Sequence, residues 1–396
     1  SVLPDAPGGT PGTFYVQNVY ESTEDIPKGS VKRLRIVQIY PQPAQRAPDR
    51  SLVLFELPKR IIGTVPVNED GSTAFEAPSG VPLLFQLLDE NDMCVMSMRT
   101  FVYAHPGESV SCVGCHESRI SAPVDAATLD ARVHRPTPPA GPRYEGGLSF
   151  AKTVQPVLDR HCVSCHGLEG DLAGGLNLLG TMDEGNVKLG QVKASQAYHA
   201  LTGDRRRVSM ALRNKEAVRS APKDYFAHAG ALGPMLLNGD EHHDPLDRES
   251  LQRVIDWLDL NGQFYGSYSW NKDEWRTVDP ASERDLRRLI AETFGPELAA
   301  QPLAALVNVA QPEESRILKA PLAREAGGWG QIEGWSSTDD TGYLAMAQAV
   351  ANCIQPLATR DVDGTCNQKP CRCLSCWVRE AEAEYRKRQP GTRRAA

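Results

Sequence analysis

Residues 148–166 have the sequence LSFAKTVQPVLDRHCVSCH, which combines an apolar helical pattern with a cysteine motif. Phe150, Val154 and Leu158 stand at i, i+4 and i+8, the spacing of one face of an α-helix. The pattern leads directly into CVSCH at residues 162–166. We therefore expect a helix that packs one apolar face on a core and carries the CxxCH segment at its end.

The CxxCH pattern occurs a second time, as CVGCH at residues 112–116. CxxCH is the attachment signature of haem c, in which the two thiols bond the porphyrin and the adjacent imidazole binds the iron. The sequence therefore predicts two covalently bound haem c groups. The anchoring thiols are Cys112, Cys115, Cys162 and Cys165, and the iron ligands are His116 and His166.

Two CxxC pairs are also typical of a zinc ribbon, in which four thiolates hold one Zn²⁺ in a tetrahedral site. That alternative leaves both motif histidines without a role. Because a histidine directly follows each pair, the pattern favours haem over zinc or disulfides.

Composition restricts the other classes of function. The chain has 396 residues, with 43 Lys and Arg against 50 Asp and Glu, so we expect two or three domains and no nucleic-acid partner. No apolar run approaches the roughly 18 residues that a membrane-spanning helix needs, so no transmembrane segment is expected.

Covalent haem attachment takes place outside the cytoplasm in bacteria, which predicts an exported protein in the periplasm or outside the cell. Disulfides form in such a compartment. The cysteines left to form them are Cys94, Cys353, Cys366, Cys371, Cys373 and Cys376. Five of these six lie at residues 353–376, which predicts an irregular, disulfide-stapled C-terminal segment, with a structural metal ion as the alternative.

Residues 1–120 are expected to form an antiparallel β-sandwich that ends in the first CxxCH motif. Apolar runs between turn residues predict strands at 31–40, 60–67, 72–77, 82–88 and 94–104. Asp70-Gly71 predicts a hairpin between the second and third of these strands, and the turn at 89–92 predicts one between the last two.

Residues 121–147 are rich in Ala and Pro and predict a linker. Residues 148–295 are expected to form a mainly helical, cytochrome c-like domain with the second haem, and residues 296–396 a C-terminal extension. The fold class is therefore α+β. Apolar spacing predicts further helices at 251–258, 282–294 and 342–354. Asp247 is the expected N-cap of the first of these, and Asn261-Gly262 its stop.

Each haem iron has a sixth coordination position, whose occupant decides between electron transfer and chemistry at the iron. His242 and His243 lie in a turn directly before the helix predicted at 251–258. His242 is the favoured distal ligand of the second haem, with His243 as the alternative. The first haem has no comparably placed partner, so its sixth position is expected to be open.

Several segments together resemble the hydrazine synthase alpha subunit family. They are GTVPVNEDGS at 63–72, FQLLDE at 85–90, PGE at 106–108, CVGCHE at 112–117, DRHCVSCH at 159–166, WLDLN at 257–261, APLA at 320–323 and AGGWG at 326–330.

The resemblance implies a β-rich middle domain with one haem c and a C-terminal domain with a bis-histidine haem c, in an extracytoplasmic multihaem enzyme complex. It also implies metal ions near the first haem. Two departures stand out: the family's N-terminal β-propeller has no counterpart in these residues, and Ile120 stands where the synthase has a tyrosine that binds its catalytic haem iron.

Three functions fit these residues. The first is a dihaem c-type cytochrome that transfers electrons to a redox partner protein or to other subunits of a complex. The second is an oxidoreductase subunit whose open first haem acts on a small nitrogen compound or peroxide, with the second haem as its electron relay. The third is an assembly module whose haems only conduct electrons within a larger complex.

Overall fold

The computed structural model describes residues 10–40, 57–115, 134–141, 144, 146–167, 173–183, 194–204, 206–211, 221–240, 244–267 and 276–356. The strands are β1 (Gly12–Val16), β2 (Arg33–Ile39), β3 (Lys59–Pro66), β4 (Thr73–Ala77), β5 (Leu83–Leu88), β6 (Cys94–Ser97), β7 (Ser109–Cys112), β8 (Met182–Asp183), β9 (Ala194–Ser195), β10 (Arg276–Val278) and β11 (Ile354–Pro356). The helices are α1 (Phe150–Thr153), α2 (Gln155–His161), α3 (Val163–His166), α4 (Gln196–Thr202), α5 (Phe226–Ala229), α6 (Leu232–Asn238), α7 (Arg248–Asp259), α8 (Pro280–Phe294), α9 (Pro296–Ala299), α10 (Leu303–Leu306), α11 (Arg316–Lys319) and α12 (Thr341–Cys353). The predicted α+β class is confirmed.

A four-stranded antiparallel sheet with the order β3-β2-β5-β6 separates two apolar cores. In β2, Leu34 and Ile36 belong to one core, whereas Val37 and Ile39 belong to the other. Because both faces of the sheet are covered, the central strand β5 reads LLFQLL with every side chain buried.

A second sheet, with the order β4-β1-β7, packs on one face of the first. The ring centroids of Phe14 and Phe75 lie 5.5 Å apart, and both rings contact Phe85 of the other sheet, at 5.2 and 5.1 Å. The predicted β-sandwich is therefore present. It is not wholly antiparallel, since β7 runs parallel to β1. The Thr13 amide donates to Glu108 O at 2.8 Å, so the two strands begin side by side.

The turn at Asp70-Gly71 forms, but the hairpin predicted there is wrong. The Ser72 amide donates to Asp70 Oδ1 at 2.8 Å, and Gly71 adopts a positive φ of 88°. The strands on either side, β3 and β4, lie in different sheets. The turn carries the chain from one sheet to the other because Val65 and Phe75 then enter the same core. By contrast, the hairpin predicted between β5 and β6 is confirmed.

Helices cover the other face of the four-stranded sheet. Phe150 contacts Trp257 and Tyr198, with ring centroids at 5.1 and 5.4 Å. Val154 and Leu158 share its helical face and are buried in the same core. The apolar face predicted for residues 148–166 is therefore confirmed. The sandwich and these helices share one sheet.

The helix ends follow local capping chemistry. Asp247 caps α7 by accepting a hydrogen bond from the Ser250 amide at 3.0 Å. After Asp259, Asn261 and Gly262 adopt positive φ angles of 69° and 61° and end the helix. Asp279 and Asp340 cap α8 and α12 in the same way. The three helices expected at 251–258, 282–294 and 342–354 are confirmed.

A third core lies between α8 and α12, where Leu286, Ile290, Met346 and Val350 are buried. Strands β10 and β11 form a small antiparallel sheet beside them. Residues before and after position 296 contribute to this core, although the sequence analysis predicts a domain boundary at that position.

Part of the segment predicted as a linker is held against both sheets. Ala140 exchanges two backbone hydrogen bonds with Thr64 of β3, at 3.0 and 2.9 Å. The Thr137 amide donates to Ala74 O of β4 at 2.9 Å. Gly63 is required at this edge, because a Cβ there would lie 2.6 Å from Ala140 O.

The buried guanidinium of Arg35 joins the four-stranded sheet to α7. Arg35 is 1% exposed and donates to Asp256 Oδ1 at 2.7 Å and to Asp259 Oδ2 at 2.9 Å. It also donates to Gln86 Oε1 at 2.9 Å and to Asp92 O at 3.0 Å. Burial alone would lower the pKa of Arg35, but the two aspartates raise it above its usual value. The cation is therefore retained inside the protein by partners from both layers.

Replacing Arg35 by leucine should lower the free energy of unfolding by about 3–5 kcal/mol, because it leaves two buried carboxylates without their cation. The matched control is Arg288→Leu, whose ion pair with Asp285 is exposed and should cost only about 0–1 kcal/mol. Urea unfolding of both variants measures the difference. Equal losses of unfolding free energy in the two variants would contradict the role given to Arg35.

Candidate haem attachment sites

The second CxxCH motif sits where α2 passes into α3. The Cys162 amide donates to Leu158 O at 2.8 Å, which joins the motif to the end of α2. The amides of Cys165 and His166 both donate to Cys162 O, at 3.1 and 2.9 Å. Residues three positions apart in a helical turn lie on the same side. The two thiols are therefore presented together, with Cys162 partly buried and Cys165 exposed.

His166 follows these thiols, and one nitrogen of its ring has no partner in the part of the chain that the structure describes. Its Nδ1 is buried and accepts or donates no hydrogen bond among the described residues. The backbone is held in place, since His166 O accepts the Leu178 amide at 2.7 Å. A buried ring nitrogen without a partner calls for a ligand or another explanation. The donor set of two thiols and one imidazole fits covalent haem c.

The structure gives no support to a zinc ribbon. Cys112, Cys115, Cys162 and Cys165 are all described, yet no three or more His, Cys, Asp or Glu side chains in the described ranges converge on a possible metal position. Burial, together with the nearby Asp159 and Cys165, raises the pKa of the Cys162 thiol to about 12.

The first motif has a different local structure. Cys112 is the last residue of β7, and the following residues form a turn against the loop after β1. The Gln17 amide donates to Cys112 O at 2.9 Å, and the Cys115 amide donates to Glu21 O at 3.1 Å. Gly114 permits this approach, since a Cβ there would lie 1.8 Å from Glu21 O. His116, the predicted iron ligand, lies outside the described residues.

The other two predicted ligands that lie outside the described residues are His242 and His243. Of the remaining histidines, His228 and His161 have protein partners. His228 Nε2 lies 3.0 Å from Asp89 Oδ2, and His161 Nε2 lies 3.2 Å from Ser250 Oγ. Both therefore have roles within the fold.

The disulfide prediction needs a correction for two cysteines. Among the described residues, Cys94 and Cys353 are buried free thiols, Cys94 beside Asp259 and Cys353 in the core between α8 and α12. Burial raises the pKa of both thiols, that of Cys353 to about 11. Cys366, Cys371, Cys373 and Cys376 lie outside the described residues, so the stapled C-terminal segment stays a prediction.

A buried carboxyl beside the second motif was missed from the sequence. Asp159 is 3% exposed, and its Oδ1 accepts a hydrogen bond from Gln155 Nε2 at 2.8 Å. Burial raises the pKa of Asp159 to about 7, although Gln155 and Arg316 act in the opposite direction. The i, i+4 spacing of Gln155 and Asp159 on a predicted helix was the available signal.

Comparison with known proteins shows a family match for one segment of the chain. Residues 29–117 match the family model described as the hydrazine synthase alpha subunit middle domain. Residues 29–117 of this chain are therefore similar to the middle domain of the hydrazine synthase alpha subunit. The match begins before β2 and ends just after the first CxxCH motif.

One curated relative of this chain is the hydrazine synthase subunit alpha of Kuenenia stuttgartiensis. The two are 24% identical over 328 residues, which cover 62% of this chain and 40% of the relative. The chain therefore spans about 40% of the length of that relative. A solved structure of Kuenenia stuttgartiensis hydrazine synthase aligns with a TM-score of 0.48 and 19% identity, over 66% of this chain and 44% of the other.

In the described part of this chain, each helix is too short or too polar to cross a membrane.

Asp159→Asn should stabilise the protein increasingly as the pH rises. A folded-state pKa of about 7, above the ordinary value near 4, means that ionisation destabilises the folded state progressively between those pH values. Because asparagine does not ionise, the unfolding free energy of the variant relative to wild type should rise by about 2–3 kcal/mol from pH 5 to pH 8. Urea unfolding at several pH values measures it.

The control for this experiment is Asp339→Asn, which replaces an exposed aspartate and should show no such trend. If the difference in unfolding free energy between Asp159→Asn and wild type stays constant with pH, the elevated pKa of Asp159 is contradicted.

Proposed function

We propose that this chain is an extracytoplasmic dihaem c-type cytochrome, which transfers electrons as a subunit of a larger redox complex. The observation that carries the proposal is that the two CxxCH motifs are placed against two different cores. Cys112 and Cys115 pack against the core of the sandwich, and Cys162 packs against the core of the helices. Two haem groups would thus be held at separate places in one chain.

The thiols of Cys112 and Cys115 would hold the first haem, and those of Cys162 and Cys165 the second. His116 and His166 would bind the irons, and His242, or alternatively His243, would fill the sixth position of the second iron. Haem c, once bound, supplies one-electron transfer. The protein's part is to fix the attachment points and to limit access to the irons.

The link between the two layers supports electron transfer between fixed centres. The first motif packs on the core at one face of the four-stranded sheet, and the second motif packs on the core at the other face. Arg35 joins this sheet to α7. Gln263 adds to the link, since its Nε2 donates to Lys59 O at 3.2 Å and to Leu148 O at 2.6 Å. The distance between the attachment points is therefore set by the fold.

A second candidate is an oxidoreductase subunit in which the first haem has an open sixth position and acts on a small nitrogen compound or peroxide. The family match favours it, because residues 29–117 include the first motif and the matching model is named after a synthase. Other subunits of a complex are the expected partners in both cases. An additional structural metal ion also stays a prediction.

The full chain purified from a host with a haem c maturation system should be red and contain two covalent haems, as measured by pyridine haemochrome absorbance and intact mass. The double variant Cys162→Ala/Cys165→Ala should keep one haem, because only the second pair of thiols is removed. Cys353→Ala is the control, since this thiol lies in a core without a CxxCH motif, and it should keep both.

A colourless wild-type protein that releases zinc on acid treatment would contradict the proposal. Loss of both haems from the double variant would show that the two attachment sites are not independent.

Carbon monoxide distinguishes the two candidate functions. The electron carrier should bind it at neither reduced haem, whereas the oxidoreductase should bind it at one. His242→Ala should add one CO-binding, high-spin haem in either case, because it opens the second iron. His228→Ala is the control, since His228 pairs with Asp89. If the spectrum of His242→Ala is unchanged and the spectrum of His243→Ala changes, then His243 is the sixth ligand of the second iron.

A further inference from the structure

A cavity of about 300 Å³ lies on the side of α2 that carries Gln155 and Asp159. Its other walls come from β10 and from residues 302–310. The volume falls at the lower end of the range for small-molecule sites in proteins. None of the haem attachment residues lines it.

The walls of the cavity are mainly apolar. Met182, Val278, Leu303 and Val307 contribute side chains, and Ala304 leaves space for a ligand. Such walls favour a small organic molecule over a hydrated inorganic ion, because the apolar part of the ligand is removed from water on binding.

The charges around the cavity favour an anionic group on that molecule. Arg276 lines the cavity, and its Nε is buried without a hydrogen-bond partner among the described residues. The described residues also give Arg276 no ion pair. A guanidinium stays charged in proteins and presents a planar array of donors that suits a carboxylate.

Asp159 does not neutralise this cation on its own. Its Oδ1 already accepts the hydrogen bond from Gln155 Nε2, and the charge of Arg316 acts on the same carboxyl. Burial also raises the pKa of Asp159 to about 7, so part of the population is neutral at physiological pH. The cavity region therefore has an excess of positive charge.

A second unsatisfied atom indicates a donor on the ligand. Gln155 is 3% exposed and uses both protons of its Nε2 on Asp159 Oδ1 and Leu178 O, at 2.8 and 3.0 Å. Its Oε1 is buried and accepts no hydrogen bond among the described residues. An unsatisfied buried acceptor is costly, and a ligand hydroxyl would satisfy it.

We propose that this cavity binds a small hydroxylated organic monocarboxylate, whose carboxylate pairs with Arg276 and whose carbon chain contacts Leu303 and Val307. The proposal concerns a side of α2 distinct from the thiols and does not depend on the haem assignment. The haem experiments and the following one therefore fail or succeed separately.

Isothermal titration of the full chain with 3-hydroxybutyrate tests the proposal, with the neutral 3-hydroxybutyramide as the matched ligand. Wild type should bind the acid at least about tenfold more tightly than the amide, because a charge-assisted hydrogen bond is lost in the amide. Arg276→Gln should weaken binding of the acid by about tenfold or more. Ala304→Phe should abolish binding by filling the cavity.

Arg253→Gln is the matched control, because Arg253 lines a different cavity and pairs with Glu249 at 2.9 Å. It should bind the acid as wild type does. Absence of binding to wild type, equal binding of acid and amide, or unchanged affinity in Arg276→Gln would each overturn the proposal. The acid and amide comparison uses wild type alone, so it decides the matter even where a variant fails to fold.

Discussion

The buried cation of Arg35 is the constraint on which the arrangement of the layers depends. A guanidinium removed from water is tolerated only where its donors are satisfied, and here carboxylates of α7 and oxygens of the sheet satisfy them together. Neither layer holds this charge alone. Apolar contacts between the sheet and α7 are not directional, whereas the hydrogen bonds of Arg35 have fixed partners, Asp256 and Asp259.

Helix α2 connects three features of the molecule. Its apolar side, with Val157 and Leu158, packs in the core that includes Trp257. Its end carries Cys162, and its polar side places Gln155 and Asp159 at the cavity. One helix of seven residues therefore contributes to the core, to the second CxxCH motif and to the wall of the cavity.

The sequence predicts the structural features that depend on residues close together in the chain. The apolar spacing of Phe150, Val154 and Leu158 and the cap at Asp247 are local patterns, and both are present in the fold. The parallel pairing of β1 with β7 depends on contacts far apart in the chain, as does the separation of β3 from β4. The i, i+4 spacing indicates that Gln155 and Asp159 share a helical face, but the burial that raises the pKa of Asp159 depends on distant residues that pack around α2.

The two CxxCH motifs have the same chemistry in two different local structures. In the second, the amides of Cys165 and His166 complete a helical turn on Cys162 O. In the first, Gly114 allows the turn to contact Glu21 O, which a side chain at this position would prevent. The helical motif is fixed by a core on one side, whereas the turn is fixed by backbone hydrogen bonds at the edge of a sheet. The placement of the two motifs therefore depends on different parts of the fold, one on a helical turn and the other on a glycine beside a sheet.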